Sequence, residues 1–254
     1  LLARDLPDFP LRPREPNARS LFGGGILVDS GQTVFGYVEL VFRADEPVEL
    51  TVEYAEVLDR GLVDAERHPA VCYRDRLRAP AGRHRWLSYE KRAFRYLQIS
   101  HPVEIESLRV LESQQPLQPI WQENPALRET RESDPEKAAL LETICRVSAR
   151  TMELCLEDLV LDCPWRERAQ YFDLLFWEDA YALLFAGESP TRRFLIQYAR
   201  GADPQTGRLR MCYPGPPGHP SIVDFSLSYP LLLLRYGHRS GDWKLVESLL
   251  RPAR

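Results

Sequence analysis

The sequence predicts a multidomain chain, an antiparallel, jelly-roll-like β-sandwich followed by helices, because its two halves differ in the period of their apolar residues. Val48, Leu50, Val52 and Tyr54 alternate with polar residues, which is the period of a half-buried strand. Short candidate strands separated by turn residues continue to about residue 115, a pattern typical of sandwiches and jelly rolls. The strands are expected at 33–42, 48–54, 71–77, 86–89, 93–100 and 103–111, with turns at 45–47, 59–61 and 79–82.

A stretch rich in Pro, Gln and Glu at 116–134 is predicted to be a linker between a sandwich domain at 1–115 and a helical domain at 135–254. Asp134, Pro135 and Glu136 form a good helix start, with an N-cap acceptor, a proline at the first helical position and a carboxylate in the first turn. In the next predicted helix, residues that recur every three or four positions lie on one face. They are Leu141, Ile144, Cys145, Ser148, Met152 and Cys155. Further helices are predicted at 166–187, 190–200, 225–238 and 243–251, with Gly187 and Gly201 as C-terminal stops.

The composition argues against several classes of function. The 254 residues have a net charge of −4 and no basic stripe, so no nucleic-acid partner is expected. No apolar run reaches the roughly 18–20 residues that cross a bilayer, so no membrane partner is expected. The five cysteines are scattered, with neither a CxxC pair nor a Cys/His metal spacing. We therefore expect no metal and no cofactor, and a reducing compartment such as the cytoplasm.

The densest chemistry lies at residues 162–171, where two carboxylates, two guanidinium groups and two large aromatic side chains occur within ten residues. Sugar-cleaving sites use this mixture, because carboxylates hold hydroxyl groups and move protons while aromatic faces stack on the sugar ring. Pro164 predicts a helix start, with Asp162 in the preceding loop and Glu167 in the first turn. Tyr171 would then lie one turn after Glu167 on the same face, and Asp173 would pair with Trp177 on a neighbouring face.

Ordinary structural roles compete with this interpretation. Acidic residues at a helix start are common capping and dipole chemistry, and Tyr171 and Trp177 could be core aromatics. Asp173 and Asp179 are harder to explain this way, because burying a carboxylate on an apolar helix costs free energy unless the charge is paired. Asp173 could be paired with a nearby arginine. A helix dipole would also oppose proton donation by Glu167, unless burial and neighbouring carboxylates outweigh it.

The same stretch resembles the signature of the bacterial α-L-rhamnosidases of glycoside hydrolase family 78. The matching residues are Asp162-Cys163-Pro164-Trp165-Arg166-Glu167-Arg168-Ala169-Gln170-Tyr171, with support from 207–214, 223–227, 48–56 and 94–99. The resemblance implies an inverting hydrolase of terminal α-L-rhamnosides, with a β-sandwich before an (α/α)6 barrel. It also implies Glu167 as general acid, Asp162 and Asp173 as sugar-binding carboxylates, and a rhamnose-containing glycoside as partner. Arg166, Tyr171, Asp224 and Phe225 are the expected substrate contacts.

Two departures from the family pattern qualify these expectations. The family has Gly-Asp soon after the motif aromatic, whereas Tyr171-Phe172-Asp173 is one residue shorter, so Asp179 competes with Asp173 for that role. No residue matches the family's general base, which lies in the later half of its barrel, and the sequence ends after about five predicted helices. We therefore expect part of a barrel that is inactive alone and aggregation-prone or homo-oligomeric.

Three alternatives remain open. They are another glycosidase or lyase on an α/α toroid, a non-catalytic carbohydrate-binding or degenerate relative, and, more remotely, a Cys163 nucleophile. His219, in the long loop at 201–223, could line the site or only brace the loop.

Overall fold

A computed structural model describes residues 11–14, 17–20, 25–67, 71–100, 103–172, 177–203, 205–215 and 220–250. By their contacts these residues divide into two compact units. The sheet unit comprises the described residues of Phe9–Gln114 together with Pro164–Arg166. The helical unit comprises Gln115–Cys163 and the described residues after Arg166. Each unit has its own apolar core.

The described strands of the sheet unit are β1 Leu11–Arg14, β2 Asn17–Ser20, β3 Ile26–Ala44, β4 Val48–Ala55, β5 Leu58–Asp59, β6 Leu62–Val63, β7 Arg74–Ala79, β8 Gly82–Leu87, β9 Arg92–Ile99 and β10 Glu104–Ser113. Eight of them form one antiparallel sheet around the long strand β3. Six strands follow the order β1-β10-β3-β9-β4-β7, and β2 and β8 also pair with β3. The first part of β3 pairs with β2 and β9, and its later part pairs with β10 and β8. A separate two-stranded pair, β5 and β6, precedes β7.

The alternation read from the sequence corresponds to real faces of this sheet. In β4, Leu50, Val52 and Tyr54 are fully buried, whereas Glu49 beside them is exposed. The expected strands at 48–54, 93–100 and 103–111 are present within two residues of their predicted bounds. The strand expected at 33–42 is the later part of β3, which begins seven residues earlier, at Ile26. The strand expected at 71–77 begins later, at Arg74. Just before it, the amide of Tyr73 donates to the carbonyl of Ala65, while the carbonyl of Tyr73 still accepts from Tyr54 of β4.

The segment expected to be a linker contains helical structure. A 3₁₀ turn, Trp121–Glu123, leads into α1, Pro125–Ser133, whose N-cap Asn124 accepts a hydrogen bond from the amide of Ala126 at 3.0 Å. Pro125 therefore starts a helix rather than preventing one. Residue Leu127 of α1 is buried, and Arg131 forms an ion pair with Glu142 of the next helix at 2.5 Å.

The described part of the helical unit contains five more α-helices after α1. They are α2 Pro135–Cys155, α3 Trp177–Leu184, α4 Ser189–Arg200, α5 Val223–Ser240 and α6 Trp243–Leu250. The start of α2 agrees with the prediction, because Asp134 accepts from the amide of Lys137 at 3.1 Å and Pro135 is the first helical residue. Its expected buried face is only partly buried, since Met152 is buried but Ile144 is 51% exposed.

The helix expected at 166–187 is the main error. Residues 164–167 form a turn and Gln170–Tyr171 is a short strand, β11. The next helix among the described residues is α3, Trp177–Leu184. The helices expected at 190–200, 225–238 and 243–251 match α4, α5 and α6 closely. Among the described residues, no helix is both long and apolar enough to cross a membrane.

Candidate active site

The motif forms a closed loop between α2 and β11. The amide of Asp162 donates to the carbonyl of Ala169 at 2.9 Å, and the amide of Ala169 donates to the Asp162 carboxylate at 3.0 Å. Arg168 has a φ of 52°, in the left-handed region that non-glycine residues rarely adopt. These two backbone features explain why no helix starts at Pro164, and the expected helix dipole therefore does not act on Glu167.

Inside this loop, Asp162, Cys163 and Glu167 lie together, and one side-chain ligand atom of each lies within 4.8 Å of the others. The thiol of Cys163 donates to the Glu167 carboxylate at 3.5 Å. Asp162 is half-buried and Glu167 is exposed. The predicted proximity of Asp162 and Glu167 is thus found, although by loop closure rather than by a helix. A cysteine sulfur and two carboxylates could act as metal ligands, but nothing further among the described residues around this cluster points to a metal.

The strand after the loop brings distant sequence to the site. β11 pairs with β12, Cys212–Tyr213, so that Tyr171 lies opposite Cys212. The hydroxyl of Tyr198 donates to the carbonyls of Gln170 and Met211, at 3.3 and 3.1 Å, and thereby braces both strands. Burial, followed by the nearby Asp162 charge, raises the pKa of the Cys212 thiol.

Tyr171 and Glu167 therefore do not share a helix face, because the intervening residues are loop and strand. The side chain of Gln170, fully buried, accepts from the amide of Val160 at 2.9 Å and ties the loop to the chain before it. Sequence reasoning did not single out Gln170 or pair Tyr171 with Cys212. The only available signal was that 201–223 is a long loop containing Met211, Cys212 and Tyr213.

The remaining predicted site residues lie elsewhere. Asp173 and His219 are outside the described residues. The competing carboxylate, Asp179, accepts from Arg235 at 2.9 Å and joins α3 to α5. Arg166 is exposed and belongs to the sheet unit by its contacts, while Asp224 is exposed in the first turn of α5. Phe225 is half-buried at the edge of the helical core.

A buried charge cluster in the helical unit was also missed. Glu178 is only 4% exposed, and its carboxylate accepts from Arg239, which is also 2.7 Å from Glu188. Burial raises the pKa of Glu178, and the Arg239 charge opposes this only in part. The raised pKa and the ion pairs indicate a charged contact within the helical core rather than a substrate site, because Arg239 binds the carboxylates of both Glu178 and Glu188.

Comparisons with known proteins find a similarity in fold. No protein-family model and no curated protein matches the sequence. Solved structures match nearly the whole chain, and three rhamnosidases are among them. Their identities are below 20%, so the similarity establishes the fold alone.

These three structures illustrate the match. A rhamnosidase from Klebsiella oxytoca with rhamnose bound is 17% identical over 98% of this chain, with a TM-score of 0.75. A family 78 rhamnosidase from a Bacillus species is 19% identical over 94%, with a TM-score of 0.73. The α-L-rhamnosidase from Dictyoglumus thermophilum is 18% identical over 97%, also with a TM-score of 0.73. This chain spans 56% of the first protein and 25% and 28% of the other two.

Proposed function

We propose that this chain is part of a glycoside hydrolase that removes terminal α-L-rhamnose, and that Glu167 is its general acid. The observation on which the proposal depends is that the loop at 162–169 brings Asp162 and Glu167 together in a chain whose fold matches a rhamnosidase over 98% of its length. The fold alone would be weak support, because one fold hosts many activities. The two carboxylates add a candidate proton donor and a candidate acceptor for sugar hydroxyl groups.

The spacing of the two carboxylates suggests different roles for them. An inverting glycosidase keeps its acid and base roughly 6.5–9.5 Å apart to leave room for a water molecule. Oxygen atoms of Asp162 and Glu167 lie within 4.8 Å of each other, which is too close for that pair. We therefore assign Asp162 to sugar hydroxyls and seek the base elsewhere.

The finer features expected from the sequence remain part of this proposal. They are the sandwich and partial (α/α)6 barrel, the domain bounds, and substrate contacts from Arg166, Tyr171, Asp173, Asp224 and Phe225. Exposed apolar side chains support an incomplete helical layer, since Ile144 is 51%, Leu183 63% and Leu227 73% exposed. Apolar surface of this kind favours self-association, so we expect the chain alone to be inactive and prone to form oligomers.

Sugar binding to the 254-residue chain tests the first part of the proposal. Titration calorimetry with L-rhamnose, L-fucose and D-glucose should show binding of rhamnose alone. Asp162→Asn should weaken this binding at least tenfold, because the variant loses a charged hydrogen-bond acceptor. The matched control is Asp134→Asn, since Asp134 caps a helix and its replacement is expected to leave binding unchanged. Equal binding of all three sugars, or of none, would contradict the proposal.

Turnover tests the role of Glu167. The assay follows cleavage of 4-nitrophenyl α-L-rhamnoside by the native protein. The Glu167→Gln substitution should lower kcat by about 100-fold or more, while L-rhamnose still binds. Glu136→Gln is the matched control, because Glu136 is also an exposed carboxylate but lies in the first turn of α2. Full activity of the Glu167→Gln variant would refute the assignment.

A non-catalytic sugar-binding role is the second candidate, and one observation favours it. Oxygen atoms of Asp162 and Glu167 lie within 4.8 Å of each other, which is too close for the acid and base of an inverting enzyme. Rhamnose binding that is unaffected by Glu167→Gln, together with no turnover by the native protein, would support this role.

A further inference from the structure

The central strand of the sheet carries a carboxylate on the face that points away from the apolar core. In β3, Val38 and Leu40 are buried in that core, so Glu39 between them lies on the opposite face. The Glu39 side chain is nonetheless only 2% exposed. Two arginines from the strands on either side of β3 bind it, Arg85 of β8 and Arg109 of β10.

Each arginine binds one oxygen of the Glu39 carboxylate. The Nε and Nη2 atoms of Arg85 lie 2.7 and 2.5 Å from Oε1. The same two atoms of Arg109 donate to Oε2, with Nε at 2.8 Å. The hydrogen bonds from Arg85 lower the pKa of Glu39, although burial opposes them, so the carboxylate is charged at neutral pH. Because two nitrogen atoms of each guanidinium group are bound, the orientation of both groups is fixed.

These bonds leave another edge of each guanidinium group for a further acceptor. Among the residues that the structure describes, the Nη1 atoms of Arg85 and Arg109 have no hydrogen-bond partner. The two side chains are 72% and 42% exposed, so a ligand can reach them. Two guanidinium groups beside one carboxylate also give the cluster a net charge of +1.

The charges next to this cluster occur in pairs and do not compensate its excess. Arg83 of β8 is 2.7 Å from Glu106 of β10. Arg43 of β3 lies opposite Glu104 of β10 in the strand register. A second carboxylate is therefore the group that would balance the charge of the cluster, and a ligand could supply it.

Apolar side chains lie beside the arginines on the same face. Leu87 of β8 is directly opposite Glu39 and is 52% exposed. Tyr37 precedes Glu39 by two residues, so it shares this face of β3, and it is half-buried. Exposed aliphatic and aromatic surface next to fixed charged donors suits a ligand that has both an apolar face and a carboxylate. A uronate sugar has both.

We propose that Arg85 and Arg109, oriented by Glu39, form a binding site on the sheet for the carboxylate of a uronate-containing oligosaccharide. A carboxylate has two oxygens in one plane, which match the N–H groups along the edge of a guanidinium group. Leu87 and Tyr37 contact the sugar ring that carries the carboxylate. Glu39 orients the two arginines, a role that explains a buried charge where an apolar residue would be about as stable. The site lies within the sheet unit and does not depend on the proposed rhamnosidase activity.

Titration calorimetry of the 254-residue chain at low ionic strength tests the proposal. The ligands are a hexamer of D-galacturonate and its methyl ester, which has the same sugar chain without the charges. The acid should bind at least about tenfold more tightly than the ester. Arg85→Gln and Arg109→Gln should each weaken binding of the acid by about tenfold or more, because each removes charged donors.

Two further variants separate recognition from general effects of charge and stability. Arg85→Lys keeps a positive charge beside Glu39 but loses the planar donor edge, so it should also weaken binding, and it serves if Arg85→Gln does not fold. Arg78→Gln is the matched control and should leave binding unchanged, because Arg78 is an exposed arginine of β7 that is 2.8 Å from a single carboxylate, that of Glu49.

Three results would overturn the proposal. They are no binding of the acid, equal binding of the acid and its ester, and an equal loss of binding in Arg78→Gln and Arg85→Gln. Tighter binding of a sulfated oligosaccharide than of the uronate hexamer would also overturn it, because the face would then be a general anion-binding surface.

Discussion

The central strand of the sheet has no room for a side chain at Gly36, and this makes a quantitative prediction possible. Gly36 lies in β3 between Glu112 of β10 and Arg92 of β9. A Cβ atom added there would lie 2.3 Å from the carbonyl oxygen of Leu111 and 2.8 Å from the Cα atom of Glu112. Ordinary contacts begin at 3.4 Å, so β3 and β10 would have to separate by about 1 Å. Both obstacles are backbone atoms, so rotation of a side chain cannot relieve them.

The size of the effect follows from what this separation breaks. Overpacking costs about 1–3 kcal/mol, and about two ladder hydrogen bonds near Gly36 would weaken, each contributing about 1 kcal/mol. The greater stiffness of alanine in the unfolded chain offsets about 0.5–1 kcal/mol. Gly36→Ala should therefore lower the free energy of unfolding of the sheet unit by about 3 kcal/mol. With a urea m-value of about 2 kcal/mol/M, the midpoint would fall by about 1.5 M.

Urea unfolding followed by circular dichroism, with amide exchange at Leu111 as a local reporter of the sheet unit, measures this change. Gly31→Ala is the control, because Gly31 has a φ of 76° but no atom within 4 Å of the added Cβ. Its expected loss is about 1 kcal/mol, from backbone strain alone. A Gly36→Ala variant as stable as the native chain, or no less stable than Gly31→Ala, would refute the close approach of β3 and β10.

Three further predictions concern the helical unit. Burial raises the pKa of Glu178 above its ordinary value of 4.5, so its contribution to stability is largest below pH 4.5 and declines as pH rises through the folded pKa. Urea titrations of the native chain and of the Glu178→Gln variant measure this effect. The stability of the native chain relative to the variant should decrease between about pH 4 and 8, and an increase would contradict the prediction. Arg239→Met should cost about 3–5 kcal/mol, because it leaves the Glu178 charge buried and unpaired, and adding Glu178→Gln should recover much of that loss in the same assay. Gly237→Ala should displace Trp243, whose ring atoms lie 2.8–3.1 Å from the added Cβ, and should change the Trp243 indole signal in NMR spectra, whereas an unchanged signal would show that the ring was not displaced.

Local patterns predicted the elements whose structure depends on local interactions. The alternation in β4 places Leu50, Val52 and Tyr54 in the core because a strand presents successive side chains to opposite faces. Asp134 and Pro135 start α2 because capping and the fixed φ of proline act within a few residues. The partly exposed face of α2 could not be predicted in this way, because periodicity shows which side is apolar but not what covers it.

The motif loop shows the opposite case. Pro164 and the acidic residues around it are locally compatible with a helix start, and the sequence by itself correctly indicated that Asp162 and Glu167 would lie together. Only the tertiary structure decided how they meet. The loop closes between Asp162 and Ala169, and β11 pairs with β12 about 40 residues later in the chain, so the chain bends instead of coiling. Closure of the loop and the pairing of two strands outweigh the weak local preference for a helix, because such preferences amount to less than about 1 kcal/mol per residue.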